Sequence, residues 1–230
     1  MARHALTPPP FIATYQQGFE ATWADDTPVE DVRFVVLDSE TSGLNPRIDR
    51  IITIGAVAIQ AGEIVLEDQF ASLVRVDDTG TVTVHGVTPE ESRRGIEEPE
   101  ALERFLGYVR DGVIVGHHIG HDIATFDTAY EKHWGMRLLN RSLDTMDLTL
   151  HLEQDHAFAG RPPIREFTLD ALCEMFGVIP HDRHTASGDA FITAQVFLRL
   201  LKLATRHGRT RLRDISQDFV APVAIDSGET

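Results

Sequence analysis

Only one cysteine, Cys173, stands in the 230 residues, so no disulfide can form within the chain. It lies in LDALCEMF, an apolar helical pattern, which reads as a packed thiol and not a nucleophile. No apolar run is long enough to span a bilayer. The start, MARHALTPPP, lacks the apolar centre of a signal peptide. Together these features lead to the expectation of a cytoplasmic protein. Positive charge is also scarce. The 21 Lys and Arg face 36 Asp and Glu, a formal net charge of -15. Non-specific affinity for long nucleic acid comes from counterion release onto cationic surface, so this balance argues against it. An enzyme acting on nucleic acid is still allowed, because bound divalent ions offset acidic charge locally. Internal repeats and low-complexity tracts are missing as well. What is present is 42% hydrophobic residues, enough for a globular chain with one sizeable core or two small ones.

The chain is organised around FVVLDSETSGL, Phe34 to Leu44. Phe34, Val35, Val36 and Leu37 read as a buried strand. Alternation then points Asp38 and Glu40 the same way. Two adjacent carboxylates at the end of a buried strand repel, and burying them unpaired is costly. A divalent cation answers that need. Taken alone, the stretch also fits a strand ending in a solvated turn at Thr41-Ser42-Gly43.

Residues 1–31 read as an N-terminal extension, with Pro8-Pro9-Pro10 extended and a short element from Phe11 to Trp23 able to dock. Strands are expected at Arg33–Asp38, Arg50–Gln60 and Glu63–Val76, joined by short turns as an antiparallel meander. A polar loop, 77–99, carries HGVTPEES, where Thr88-Pro89-Glu90-Glu91 looks like a helix start. Helical spacing follows from Pro99 to Arg110, then a buried strand, GVIVG, at 112–116. A helix from Asp122 to Trp134 puts Asp122 on its own core-facing stripe. A short strand and helix fill 142–152, and another helix fills 168–176. The longest helix, Ala186 to His207, carries Asp189 at the top of its apolar column, with Gly208 as cap. A carboxylate on a core stripe is unusual. The pattern is α/β, with a mixed central sheet containing a three-strand antiparallel meander and flanked by helices. The expected division is an extension (1–31), one domain (32–207) and a tail (208–230).

Four carboxylates, Asp38, Glu40, Asp122 and Asp189, thus stand where core is expected, with His184 five residues before the last. Hard divalent ions want oxygen ligands, and two of them about 3.5–4 Å apart stabilise both attacking and leaving oxygens in a phosphodiester displacement. A histidine, with unperturbed pKa about 6.5, suits deprotonation of the attacking water. The stretches LDSETSGL, VGHHIGHD and HTASGDA resemble the three motifs of the DEDDh-type, DnaQ-like 3′–5′ exonucleases, the family of the proofreading epsilon subunit of bacterial DNA polymerase III. RIITIGAVAI, LDTMDLTLHL and FTLDALCEMFGV support the resemblance, which covers about residues 32–204 in order.

The resemblance implies an RNase H-like fold. It implies that Asp38, Glu40, Asp122 and Asp189 bind two Mg2+ or Mn2+ ions and that His184 is the general base. Thr41 and Leu44 would contact the terminal nucleotide, Leu44 packing on its base. The reaction would release nucleoside 5′-monophosphates from a 3′ end, with single-stranded DNA as the favoured substrate, alone or beside a DNA polymerase subunit. Two readings compete: an exoribonuclease trimming short RNA, and a non-catalytic polymerase-binding module. The second motif departs from its relatives, which commonly read Gly-His-Asn, two variable residues, then Phe-Asp. Here His118 replaces the Asn and His121 the Phe, which puts the substrate contacts at those two positions in question. His117, His118 and His121 also invite a zinc reading, against which no Cys or clear fourth ligand is nearby. Arg206, Arg209, Arg211 and Arg213 form one basic cluster, suited to a helix C-terminus or to substrate phosphates.

Overall fold

A computed structural model of the chain describes residues 9–21, 23–76, 87–160 and 165–216. Pro8, the first part of the polar loop with His85, and the tail from 217 onward lie outside these residues. β1 (Phe34–Thr41), β2 (Ile51–Gln60) and β3 (Glu63–Leu73) form the expected antiparallel meander. β4 (Val113–Gly116) and β5 (Ser142–Asp144) add to β1 in parallel. The order across the sheet is β3-β2-β1-β4-β5, a mixed sheet with β1 at its centre.

β1 runs three residues beyond the expected end at Asp38. Ser39 and Glu40 remain in ladder register with Ile54 and Thr53 of β2, and a bulge follows between Glu40 and Thr41. The acidic pair therefore sits on strand and not in a solvated turn, and strand alternation governs where each side chain points.

Helices cover both faces, which is why β1 opens as an unbroken apolar run. On one face Phe34, Val36, Val57, Val113 and Val115 pack against α7 (Ala186–Arg206), α5 (Thr145–Gln154) and α6 (Leu169–Phe176). Phe34 meets Phe197 of α7 edge-on, with centroids 5.1 Å apart. On the other face Val35, Leu37, Ile54 and Ile114 pack against α3 (Glu98–Val109) and α4 (Gly120–Trp134). Burying one such aliphatic or aromatic side chain is worth about 1.5–3 kcal/mol. α2 (Pro89–Arg93) starts at a capping box between Thr88 and Glu91, where the sequence places a helix start.

Ahead of β1, α1 (Pro10–Gln17) buries Ile12 and Tyr15 against the α3/α4 face. The Tyr15 hydroxyl donates to Asn140 Oδ1 (2.5 Å) and accepts from the Leu139 N–H (2.8 Å). At the far end α8 (Leu212–Ile215) buries Leu212 and Ile215 in the α7 face. No helix among the described residues is long and apolar enough to cross a membrane. Cys173 is a buried free thiol, as its helical pattern implied.

Candidate active site

Asp38 and Glu40 share strand parity with Phe34 and Val36, so they continue the face that α7 covers. Asp189 lies in the first turn of α7, where the helix dipole favours an acidic group, and is only 8% exposed. Asp38, Glu40 and Asp189 each present a carboxylate oxygen within 4.8 Å of the others. This approach depends on Gly55, the register partner of Asp38 on β2. A Cβ there would lie 2.3 Å from the Ala186 carbonyl carbon and the Ser187 nitrogen, so only glycine lets the start of α7 settle on the sheet. Thr185 caps that helix, its hydroxyl accepting from the Gly188 N–H at 3.1 Å.

Asp122 comes from the opposite face. Ser39 has the other strand parity, and its hydroxyl donates to Asp122 Oδ1 at 2.5 Å. Three of the four expected carboxylates thus form one close group, and the fourth reaches the end of β1 around its α4 side. Burial pushes the Asp122 carboxyl up to about 6, against the lowering effect of its Ser39 hydrogen bond. Asp38 is pushed well above the ordinary carboxylate range, first by burial and then by the charges of Asp122, Asp189 and Glu40. Carboxylates that disfavour their own ionisation in this way are relieved by a cation placed between them. Hard oxygen donors at this spacing fit a hard divalent cation.

One cation already reaches the group. Arg183 donates from Nη1 to Asp189 Oδ1 and from Nε to Asp170 Oδ1, the latter at 2.8 Å. Its charge opposes the rise at Asp38. The next residue, His184, is exposed, has φ 63°, and donates its backbone N–H to Asp189 Oδ2 at 3.3 Å.

The loop after β1 presents Leu44, 89% exposed, and Ile48, 75% exposed. Asp49 fastens it, accepting from the Ser42 hydroxyl (2.9 Å) and the Asn45 N–H (2.7 Å). Thr41 is buried; its hydroxyl donates to the Gly43 carbonyl at 2.7 Å and lies 3.4 Å from His121 Nε2. His118 is exposed and adopts φ 58°, a left-handed conformation that Asn tolerates better than His. Asp144 holds this turn, accepting from the backbone N–H of His118 (3.1 Å), Ile119 (3.0 Å) and Met146 (2.9 Å).

Among the described residues the acidic trio is the one group of three or more His, Cys, Asp or Glu close enough to share an ion, so His117, His118 and His121 form no zinc cluster. Three of the four arginines in the basic cluster are engaged with the protein itself. Arg209 pairs with Asp155, Arg213 with Asp26, and Arg211 donates to the Asp26 carbonyl. Ser39, Gly55, Asp144 and Arg183 escaped the sequence reading. Ser39 lies inside the first motif, Asp144 inside LDTMDLTLHL, and Arg183 directly before the third motif, but the sequence assigns none of them a role.

Comparison with known proteins adds an independent line. Residues 35–197 match the RNase_T family model, described as Exonuclease. A PolC-type DNA polymerase III of Thermotoga maritima is 35% identical over 199 residues, covering 84% of this chain and 14% of the polymerase. The same type of polymerase from Caldanaerobacter subterraneus subsp. tengcongensis is 32% identical over 186 residues, covering 80% and 12%. The chain therefore spans a small fraction of those relatives. Among solved structures, E. coli exonuclease I in complex with a dT13 oligonucleotide superposes with a TM-score of 0.64 at 18% identity, over 77% of this chain and 43% of that one. A zinc-bound form of the same enzyme with single-stranded DNA gives 0.63 at 20% identity, over 78% and 42%. The fold is thus the RNase H-like fold of these exonucleases.

Proposed function

Since the chain belongs to the RNase_T exonuclease family, we propose that it is a metal-dependent 3′–5′ exonuclease that releases nucleoside 5′-monophosphates from single-stranded DNA ends. The observation that carries this reading is the group of Asp38, Glu40 and Asp189 at the end of β1, with His184 beside it and Asp122 entering from the other face. In this reading the four carboxylates hold two Mg2+ or Mn2+ ions, and the catalytic unit is residues 32–207. Bound there, such ions supply Lewis-acid polarisation of the phosphate and stabilise the attacking and leaving oxygens.

The chain's own residues do the rest. His184, at the solvent mouth, accepts the proton of the attacking water. Ser39 holds Asp122 in place while the strand presents Asp38 and Glu40 to the opposite face. Leu44, held out by the Asp49 turn, packs on the terminal base. Thr41 lies beneath that loop and lines the terminal-nucleotide site with His118 and His121. The PolC-type relatives favour work beside a DNA polymerase, as a proofreading activity.

A 3′-labelled oligonucleotide incubated with Mg2+ or Mn2+ tests the reading. Mononucleotides are the expected product, and EDTA should abolish their release. Asp38→Ala and Asp189→Ala should each lower the rate about a thousandfold, the scale for losing a group that stabilises developing charge. Turnover that persists in either variant would remove that residue from the mechanism. Labelled RNA of equal sequence, run in competition, separates the deoxyribonuclease from an exoribonuclease, because contact with the 2′-hydroxyl decides between them.

A further inference from the structure

Both oxygens of Asp189 are engaged by the loop that precedes it: Oδ1 accepts from Arg183 Nη1 and Oδ2 from the His184 N–H. A hard cation binds a carboxylate oxygen through the same lone pairs that a guanidinium uses, and the two positive groups repel at that distance. Ligation at Oδ1 and the Arg183 pair therefore weaken each other. Arg183 has a second hold, its Nε on Asp170, whose side chain is 66% exposed. That hold does not involve the acidic group, so it survives loss of the first and serves as a pivot.

The loop backbone is anchored against the start of α7, the Thr185 hydroxyl donating to the Asp182 carbonyl at 2.7 Å. Asp182 and His184 both take left-handed conformations, φ 54° and 63°, on either side of Arg183. The Asp182 carbonyl lies so near α7 that a Cβ on Gly188 would meet it at 2.1 Å. A change of partner therefore needs only the Arg183 side chain to turn. Its chain neighbour is His184, so a displaced guanidinium stays beside the place where a phosphate must lie for His184 to act on the attacking water. A guanidinium matches phosphate oxygens with two parallel hydrogen bonds.

We propose that Arg183 competes with a divalent cation for Asp189 and, once displaced, turns about Asp170 onto the phosphate of the 3′-terminal nucleotide. This rests on the metal-dependent exonuclease reading. It makes Arg183 a substrate-binding residue that also sets the metal affinity of the site.

Calorimetric titration of the full chain with Mn2+, without nucleic acid, tests the first half. Arg183→Gln should bind Mn2+ about tenfold more tightly than the wild type, the scale of one charge-assisted hydrogen bond. Titration with thymidine 5′-monophosphate at saturating Mn2+ tests the second half; Arg183→Gln should bind it about tenfold more weakly. Arg183→Lys, which keeps the charge but loses the planar fork, should also bind the nucleotide more weakly. It stands in if the Gln variant fails to fold. Equal or weaker Mn2+ binding by Arg183→Gln would overturn the competition. Unchanged nucleotide affinity in both variants would overturn the transfer to phosphate. A wild-type chain that binds no Mn2+ would instead defeat the metal reading on which both halves stand.

Discussion

His117 keeps its motif position, yet its surroundings suit only the neutral ring. Nδ1 lies 2.9 Å from the Thr145 hydroxyl, and burial, helped by the nearby His118 and Arg183 charges, lowers its pKa to about 4. An unfolded histidine titrates near about 6.5. As pH falls from 6.5 toward 4, the unfolded state takes up this proton first, so folding stability declines across that window and the cost is complete below it. Urea midpoints measured between pH 7 and 4 should fall less steeply in His117→Gln than in the wild type. Parallel slopes would remove His117 as a source. Asp122 acts in the opposite direction. Its carboxyl is raised to about 6, so the folded state holds that proton more firmly than the unfolded one, and stability falls as pH rises from about 4 through about 6. A cation bound in the site must displace the same proton, so Mn2+ affinity should drop as pH is lowered through 6. Residue types and spacing singled out Asp38, Glu40, Asp122, Asp189 and His184 in the sequence, and the fold gathers Asp38, Glu40 and Asp189 into one group. Arg183 was not, because an arginine in a polar loop looks like any solvated cation until the fold lays it on Asp189.

At the scale of elements, strand periodicity and helical stripes were enough to read the meander, β4, α4 and α7. β1 runs three residues past the expected Asp38 because its pairing partners lie elsewhere in the chain: Ser39 and Glu40 stay extended through their ladder with Ile54 and Thr53. The consequence is functional, since alternation then separates Asp38 and Glu40 from Ser39 and divides the carboxylates between two faces. Gly55 was equally invisible inside the β-branched run RIITIGAVAIQ, where a glycine signals only a weak strand position. Its role comes from α7, which starts against it. Gly55→Ala should cost about 1–3 kcal/mol in folding stability, the usual toll of overpacking. It should also lower activity by more than that loss of folded protein explains, because displacing α7 carries Asp189 away from Asp38. Comparing urea midpoints with turnover per folded molecule checks this. A fully active, destabilised variant would show that the helix start is not what sets the ligand spacing.

Over the described residues, the segments just before β1 and just after α7 are held by ion pairs that the linear sequence could not assign. Asp25 pairs with Arg141 at 2.7 Å, Asp26 with Arg213, and Arg209 with Asp155. Three of the four arginines that resembled a phosphate-binding cluster, Arg209, Arg211 and Arg213, are thereby committed to carboxylate or carbonyl partners, and the chain carries a net charge of -15. Single-stranded nucleic acid bound by Z phosphate contacts loses affinity with salt at a slope of roughly -0.7Z on logarithmic axes. Hold on the substrate is expected to be concentrated at the 3′ end, at Leu44, Thr41, Arg183 and the ligated phosphate, so Z should be about two and the slope shallow, near about -1.4. Shortening the oligonucleotide from about twenty to about four nucleotides should then leave KM within about threefold, since most of the strand contributes little to binding. Measuring KM against NaCl concentration for both lengths, at fixed free Mn2+, decides the point. A slope steeper than about -4 for the long strand alone would reveal a cationic track along the surface. In that event Arg209, Arg211 and Arg213 would have to leave their carboxylate and carbonyl partners to provide it, and neutralising them would flatten the slope.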